Sequence, residues 1–453
     1  MHRLVYRATY AVAALRPVRP GSVLLVTNRS PRLVGNLKYI RDYLAAHPSP
    51  VSSVTEIVLP GGRAGLRRRF RAERALVWRM ATTQYTVVDD FLPAVYPLRL
   101  RRGTRLIQVW HALGALKRMG YSRGGRGGGP ASDSLAHKNY TDVIVSADGV
   151  RSCYAEAFAV PLHAVRATGA PRSDLFFDQV KQAEARVRLL ERVPTAANRR
   201  VIVFAPTFRG PSRREAHYPA KFLDLDRLGA ALGGDDLFVI RHHPFVTTRV
   251  PIPSKWADRI IDLSDYPEFN DLLLACDLLV TDYSSAIFDY ALLRRPAVFY
   301  VPDLADYIRD RGFYDDFAAY TYGPVVQDFD GLLGALGTTV VDEAQLARFR
   351  ERFLNRCDGH ATERFVGTVL PRVGAPVVAP LGSRGARNGV PRARTALLAP
   401  RRQLAGPEMG SHEYGLPADC PRSARSSGAW LKTALLRWVI GAVGLAYSLL
   451  QRL

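Results

Sequence analysis

The chain has 453 residues, more than one typical domain needs, and its 47% hydrophobic content is enough to bury sizeable cores. Lys plus Arg number 63 against 41 Asp plus Glu, a net charge of +22 that favours anionic partners: nucleic acid, an anionic membrane surface or a phosphate-rich substrate. Cys153, Cys276, Cys357 and Cys420 are widely spaced and form no CxxC pair, which argues against a disulfide framework or a zinc site and fits a reducing compartment. Arg3, Arg7 and Arg16 interrupt the N-terminal apolar residues, so a signal peptide and export are not expected.

In chain order, the first apolar strand is predicted at 22–27, running into Asn28-Arg29-Ser30-Pro31. An amphipathic helix follows at 35–46, a strand at 53–59, an arginine-rich helix at 63–80, and strands at 86–90 and 105–110. The alternation restarts with a strand at 201–205, a helix at 222–232 and a strand at 237–241. It continues with a helix at 269–275, a strand at 278–281, a helix at 286–294 and a strand at 297–300. Short apolar runs alternating with helices are the pattern of parallel α/β sheets. The expected regions are 1–168 and 169–370, both α/β, meeting near Gly169-Ala170-Pro171. Residues 371–429 are rich in Pro, Gly, Ala and Arg without apolar periodicity and are expected to be a disordered basic linker. Within 430–453 the apolar run 438–450, flanked by Lys432, Arg437 and Arg452, is shorter than the roughly 20 residues of a spanning helix. Two readings stand there: a helix lying in the membrane interface, or one docked on protein.

Four segments carry chemistry. Gln108-Val109-Trp110-His111-Ala112-Leu113-Gly114 puts a histidine just past a predicted strand, where open α/β sheets form their ligand crevices, and Lys117-Arg118 follow. His111 reads either as a general base or as a ring packed beside Trp110. Phe204-Ala205-Pro206-Thr207-Phe208-Arg209 offers Thr207 and Arg209 to phosphate, or is an ordinary strand-end turn. Arg241-His242-His243-Pro244 brings a cation and an imidazole to another strand end, suited to a diphosphate. A metal is not expected there, because adjacent strand residues point to opposite faces. In Thr281-Asp282-Tyr283-Ser284-Ser285-Ala286-Ile287-Phe288-Asp289 a strand runs into a helix whose free amides, with Ser284 and Ser285, form an anion site. Simple capping by Ser285 explains the same residues.

These segments together resemble the CDP-glycerol glycerophosphotransferase family, the teichoic-acid primases and polymerases. The resemblance runs from about residue 24 to 365 and includes Gly169 to Asp174, Tyr300, Asp303, Tyr307, Arg311-Gly312 and Gly323-Pro324. Ala112-Leu113-Gly114 departs from a WHG-type sequence, and Tyr322 precedes Gly323-Pro324 where a Pro is common. The resemblance implies a GT-B-like architecture, two Rossmann-like domains facing a cleft, with neither metal nor cofactor. The second domain would hold a CDP-polyol, and the first would face the membrane and a lipid-linked polymer acceptor, at the cytoplasmic face of the membrane as a peripheral protein. His111 would then be the general base, and Lys117 and Arg118 would lie on the acceptor side. His243 would be catalytic, with Arg241, Thr207, Arg209, Thr281, Ser284 and Ser285 on the donor phosphates and Asp289 on a ribose hydroxyl or a loop.

The rival within enzymes is a sugar transferase of the same architecture using a nucleotide sugar. The rival outside them, a nucleic-acid-binding protein, is disfavoured: the cations are dispersed, and no helix-turn-helix, zinc-finger or RNP-like aromatic signature accompanies them. Nucleic acid is therefore not an expected partner.

Overall fold

The apolar runs become strands of two parallel sheets. In the computed structural model, which describes residues 2–61, 65–124, 129–131, 134–210 and 214–370, twelve strands form two six-stranded sheets with every pairing parallel. The first sheet contains β1 (Arg19–Thr27), β2 (Ser53–Val58), β3 (Thr83–Val88), β4 (Arg105–Gln108), β5 (Asp142–Val145) and β6 (Val165–Ala167). The second contains β7 (Arg200–Ala205), β8 (Asp236–Ile240), β9 (Ile260–Asp262), β10 (Leu278–Thr281), β11 (Ala297–Tyr300) and β12 (Val325–Val326). Strands such as Val-Leu-Leu-Val in β1 and Leu-Phe-Val-Ile in β8 are apolar throughout because helices or loops cover both faces of a parallel sheet.

The first sheet has the order β2-β1-β3-β4-β5-β6 and the second β12-β11-β10-β7-β8-β9. The chain therefore reverses direction between β1 and β3 in one, and between β7 and β10 in the other. Crevices open at such switch points, beyond the C-terminal strand ends. Both crevices carry the polar segments picked out in the sequence.

The described helices are α1 (His2–Ala13), α2 (Gly35–Ala46), α3 (Leu66–Met80), α4 (Arg151–Phe158), α5 (Gln179–Arg192), α6 (Leu225–Ala231), α7 (Phe269–Ala275), α8 (Ala286–Tyr290), α9 (Leu304–Arg311), α10 (Phe329–Thr338), α11 (Glu343–Leu354) and α12 (Ala361–Val369). Asp178, Asp224, Asp328 and Asp342 cap α5, α6, α10 and α11 through bonds from first-turn amides. The Asp224 cap explains why the helix expected at 222–232 starts later. Likewise the helix expected at 286–294 is α only to Tyr290 and then tightens into a 3-10 turn over Ala291–Leu293.

One apolar cluster runs through both halves, joining Val143 and Val145 of β5 to Val201 and Val203 of β7 and to Phe288 of α8. The last helix crosses back. Phe365, Val366 and Val369 of α12 are buried with Val23, Leu25, Leu37 and Val87 on the other face of the first sheet. The sequence reading had put residues 361–370 with the second region; their apolar face completes the first. The expected linker 371–429 and helix 430–453 lie outside the described residues. Among the described residues no helix is long and apolar enough to cross a membrane.

Candidate active site

The first crevice is built on a backbone held in an unusual conformation. Trp110 has φ +47°, in the left-handed region that side chains other than glycine rarely adopt. Three hydrogen bonds hold it: the Trp110 amide donates to Gln108 Oε1 (2.8 Å), and Asn36 Nδ2 donates to the carbonyls of Val109 (2.8 Å) and Trp110 (2.9 Å). The turn throws His111 out past the end of β4. Its ring stacks on Trp110 with centroids 4.4 Å apart, and its Nδ1 lies 3.9 Å from Asp90 Oδ1. The His111 side chain keeps 34% of its exposure. Both readings of this histidine therefore hold at once: it packs beside Trp110 and remains reachable.

Burial, then the charges of Arg29 and Arg172, push the His111 pKa down to about 3, so the imidazole is neutral near pH 7. A base that weak takes up a proton only where the imidazolium is stabilised as it forms, and the Asp90 carboxylate, 3.9 Å from Nδ1, is placed to do so. Asp90 also lies 3.8 Å from Arg29 Nε. Next to it, Asp89 is buried with Oδ2 accepting from Thr27 Oγ1 at 3.0 Å, and burial raises its pKa to about 6.

The second crevice differs from the expectation in several places, because its cations already have partners. Thr207 donates to Asp282 Oδ1 from both its amide (2.8 Å) and its hydroxyl (2.9 Å). Arg209 is bonded bidentately to Asp303 (2.6 and 2.9 Å), lies 3.0 Å from Asp282 and sits over the rings of Tyr283 and Tyr307. Thr207 and Arg209 thus tie the ends of β7 and β10 together instead of presenting free donors. Thr281 is fully buried and its hydroxyl donates to the Ala205 carbonyl, so it is a strand tie and not a phosphate contact. Arg241 turns inward and donates to the carbonyls of His242 (2.7 Å), Ser264 (2.6 Å) and Tyr266 (3.3 Å). Those carbonyls lie inside the protein, which removes Arg241 from the expected diphosphate site.

The histidines of this segment divide as adjacent strand-end residues do. His242 is buried against Tyr218. His243 is half-buried, packs against Phe208 and Phe245, and accepts the Phe245 amide at Nδ1 (3.2 Å). Ser284, not Ser285, makes the local cap, its Oγ accepting from the Ala286 amide at 3.2 Å. Ser285 is exposed and its side chain makes no capping bond.

Asp289 takes the loop alternative. It is buried, and its Oδ2 accepts from Arg172 Nη2 at 2.8 Å; the Arg172 amide in turn donates to Asn36 Oδ1 at 2.9 Å. A ribose hydroxyl has no access to it. Through Asn36, this chain of bonds reaches the Trp110 carbonyl, one residue before His111. Lys117 and Arg118 also act as joints between the halves. The Arg118 amide and Nε donate to the carbonyls of Gly312 and Phe313, and the Lys117 ammonium sits over the Tyr307 ring.

Comparison with known proteins decides the family. The profile of CDP-Glycerol:Poly(glycerophosphate) glycerophosphotransferases matches residues 8–371. The chain belongs to this family. The teichoic acid poly(ribitol-phosphate) polymerase of Bacillus spizizenii is 36% identical over 381 residues, covering 82% of this chain and 60% of that protein. The ribitol-phosphate polymerase TarK of Staphylococcus aureus is 36% identical over 81% of this chain and 72% of its own length. A ribitol-phosphate primase of B. spizizenii is 32% identical over 78% and 92%. The solved structure of a histidine-to-asparagine variant of the wall teichoic acid polymerase TagF has the same fold, with a TM-score of 0.64 at 21% identity over 81% of this chain and 92% of that one.

Sequence patterns alone do not single out Arg29, Asn36, Asp89, Asp90 and Arg172. Position is the one signal that three of them carry: Asn28-Arg29-Ser30-Pro31 follows a strand, and Asp89-Asp90 end one. Asn36 and Arg172 gave no local signal, since their partners lie 73 to 136 residues away.

Proposed function

We propose that the chain transfers a polyol-phosphate unit from a CDP-polyol to a hydroxyl of a lipid-linked cell-wall polymer and releases CMP. The observation that carries this reading is His111, which keeps 34% of its side-chain exposure at the first switch point with Nδ1 3.9 Å from the Asp90 carboxylate. The acceptor hydroxyl gives its proton to His111 as its oxygen attacks the β-phosphorus; the bond from that phosphorus to the bridging oxygen breaks, and CMP takes the electron pair. Positioning and electrostatics supply most of the rate in such transfers. Ser284, Ser285 and His243 are the side chains left for the donor phosphates once Arg209, Arg241 and Thr281 are assigned to structure. The two parallel sheets, joined by the 168–177 segment, support a GT-B-like arrangement with region 1–168 on the acceptor side and region 169–370 on the donor side.

Ribitol phosphate is the favoured unit, because the ribitol-phosphate polymerases are 36% identical to this chain and the glycerol-phosphate polymerases 27–28%. The reaction takes place at the cytoplasmic face of an anionic membrane, and α1 and α3 form the face that meets it. Arg16, Arg19, Arg71, Arg74 and Arg79 line a groove of about 1050 Å³ between these helices, and none of the five has a carboxylate partner among the described residues. Leu4, Ala8 and Val12 form an exposed apolar stripe at helical spacing along α1, and Leu15 continues it. Cations flanking an apolar stripe are the composition of an interfacial helix. The test of the reaction is CMP release from CDP-ribitol, CDP-glycerol and UDP-sugars in the presence of membranes, with the product weighed by mass spectrometry. Silence with every CDP-polyol and turnover of a UDP-sugar would replace this reading with glycosyl transfer.

A further inference from the structure

A second cavity, of about 1430 Å³, is lined by loops of both sheets: the ends of β1 and β2, the first turn of α3, and residues 214, 244, 245 and 247. Among the described residues its charged lining side chains are Arg29, Arg68 and Arg214, all cationic, with no acidic one. Arg68 and Arg214 are exposed and form no ion pair among the described residues. Arg29 is the link to the chemistry, since it and His111 approach the same Asp90 carboxylate, at 3.8 and 3.9 Å. The volume exceeds the 300–1,000 Å³ typical of a single small ligand. Of the residues assigned above to the donor phosphates, none lines the cavity, although His243 packs on Phe245, which does.

We infer that this cavity binds the phosphodiester backbone of the acceptor polymer, holding several anionic repeat units so that the terminal hydroxyl reaches His111. The inference rests on the proposed transfer reaction. Arg68 and Arg214, without an opposing carboxylate among the described residues, and Arg29, shared with Asp90, fit a strand of regularly spaced monoanions. Ser30 and Thr247 add hydroxyls, and Phe245 gives the strand an apolar wall. Such a site sets affinity by charge and not by polyol shape, so it weakens with salt.

Two arms test it with a synthetic oligo(ribitol phosphate) of defined length and no lipid. In the first, calorimetry without donor compares wild type with Arg68→Ala, Arg214→Ala and the double variant, all exposed positions. The expected result is roughly tenfold weaker binding in the double variant, shrinking towards no difference at 0.5 M salt, as about 1.4 kcal/mol of screened attraction requires. In the second, the double variant should raise the acceptor KM by a similar factor and leave kcat and the CDP-ribitol KM unchanged, with no effect on a monomeric acceptor. Three outcomes would overturn the inference: unchanged oligomer binding at low salt, a raised donor KM in place of acceptor KM, or lost binding to anionic vesicles with oligomer binding intact. An inactive wild type would remove the transfer reading, while the calorimetric arm would still decide whether the cavity takes the polymer.

Discussion

Asp89 ends β3 with one carboxylate oxygen on the Thr27 hydroxyl and the other buried without a partner, and its pKa is raised to about 6. In an unfolded chain an aspartate titrates near pH 3.9, so the fold prefers the protonated form. Its contribution to stability is therefore full below about pH 4 and is lost as pH rises through 6. Asp89→Asn should gain about 2–3 kcal/mol over wild type at pH 7.5 and keep none of that gain at pH 4, as thermal melts at the two pH values would reveal. A constant difference would refute the burial account. For His111, replacement by Ala should lower turnover by roughly 10²–10⁴-fold and leave calorimetric affinity for the CDP-polyol unchanged. A matching loss of donor affinity would move His111 to the donor side. His111 and His243 stand out in the sequence as histidines near strand ends, but their proposed roles come from the family resemblance and not from the strand ends. The partners of the cations were not legible. Arg209 finds Asp303 94 residues on, and Arg172 finds Asp289 117 residues on. A strand-end arginine reads the same whether it faces a ligand or a distant carboxylate.

Gly114 (φ +60°) sits where the His111 loop meets α8, and a Cβ there would run into the Phe288 ring. Gly114→Ala should destabilise the fold by about 1–3 kcal/mol through this clash, more with the backbone strain, visible in denaturant midpoints. An unchanged midpoint would mean the loop moves aside freely. At the opposite end of the first half, α1 and α3 should carry the protein to anionic vesicles, each arginine contributing about 1 kcal/mol. Arg71→Glu with Arg74→Glu should abolish most flotation with such vesicles and spare transfer to a soluble acceptor; flotation equal to wild type would move the membrane face elsewhere. Several element limits were legible to the residue, including α2, α7, β10 and β11, because each is a periodic run between clear breaks. β5, β6 and β9 were not; β5 is as long as β10 and β11 but lacks their flanking helix patterns in the sequence, and β6 and β9 are only three residues. The first helix was also passed over, since its buried face is only Tyr6, Tyr10 and Ala13 among arginines.

Two α/β halves could be read from the recurring pattern, but not the crossing of the last helix, which depends on which face of the first sheet stays uncovered. Asp174, in the segment between the sheets, receives the Ala361 and Thr362 amides and so holds the start of α12 against that face. A chain ending at residue 370 should fold and melt cooperatively, whereas one ending at 360 should bind hydrophobic dyes and aggregate; equal melting of the two would show that α12 is dispensable. The arrangement also sets an order of events on the ribosome. The first sheet is complete in sequence at Ala167, yet its covering helix is made about 200 residues later, a delay of roughly 10–40 s at ordinary synthesis rates. During that interval the sheet face formed by Val23, Leu25, Tyr85 and Val87 waits without that helix, while the second sheet is still being synthesised. For that interval the face has α2 but not α12 over it, so the nascent chain should be prone to self-association until α12 is made.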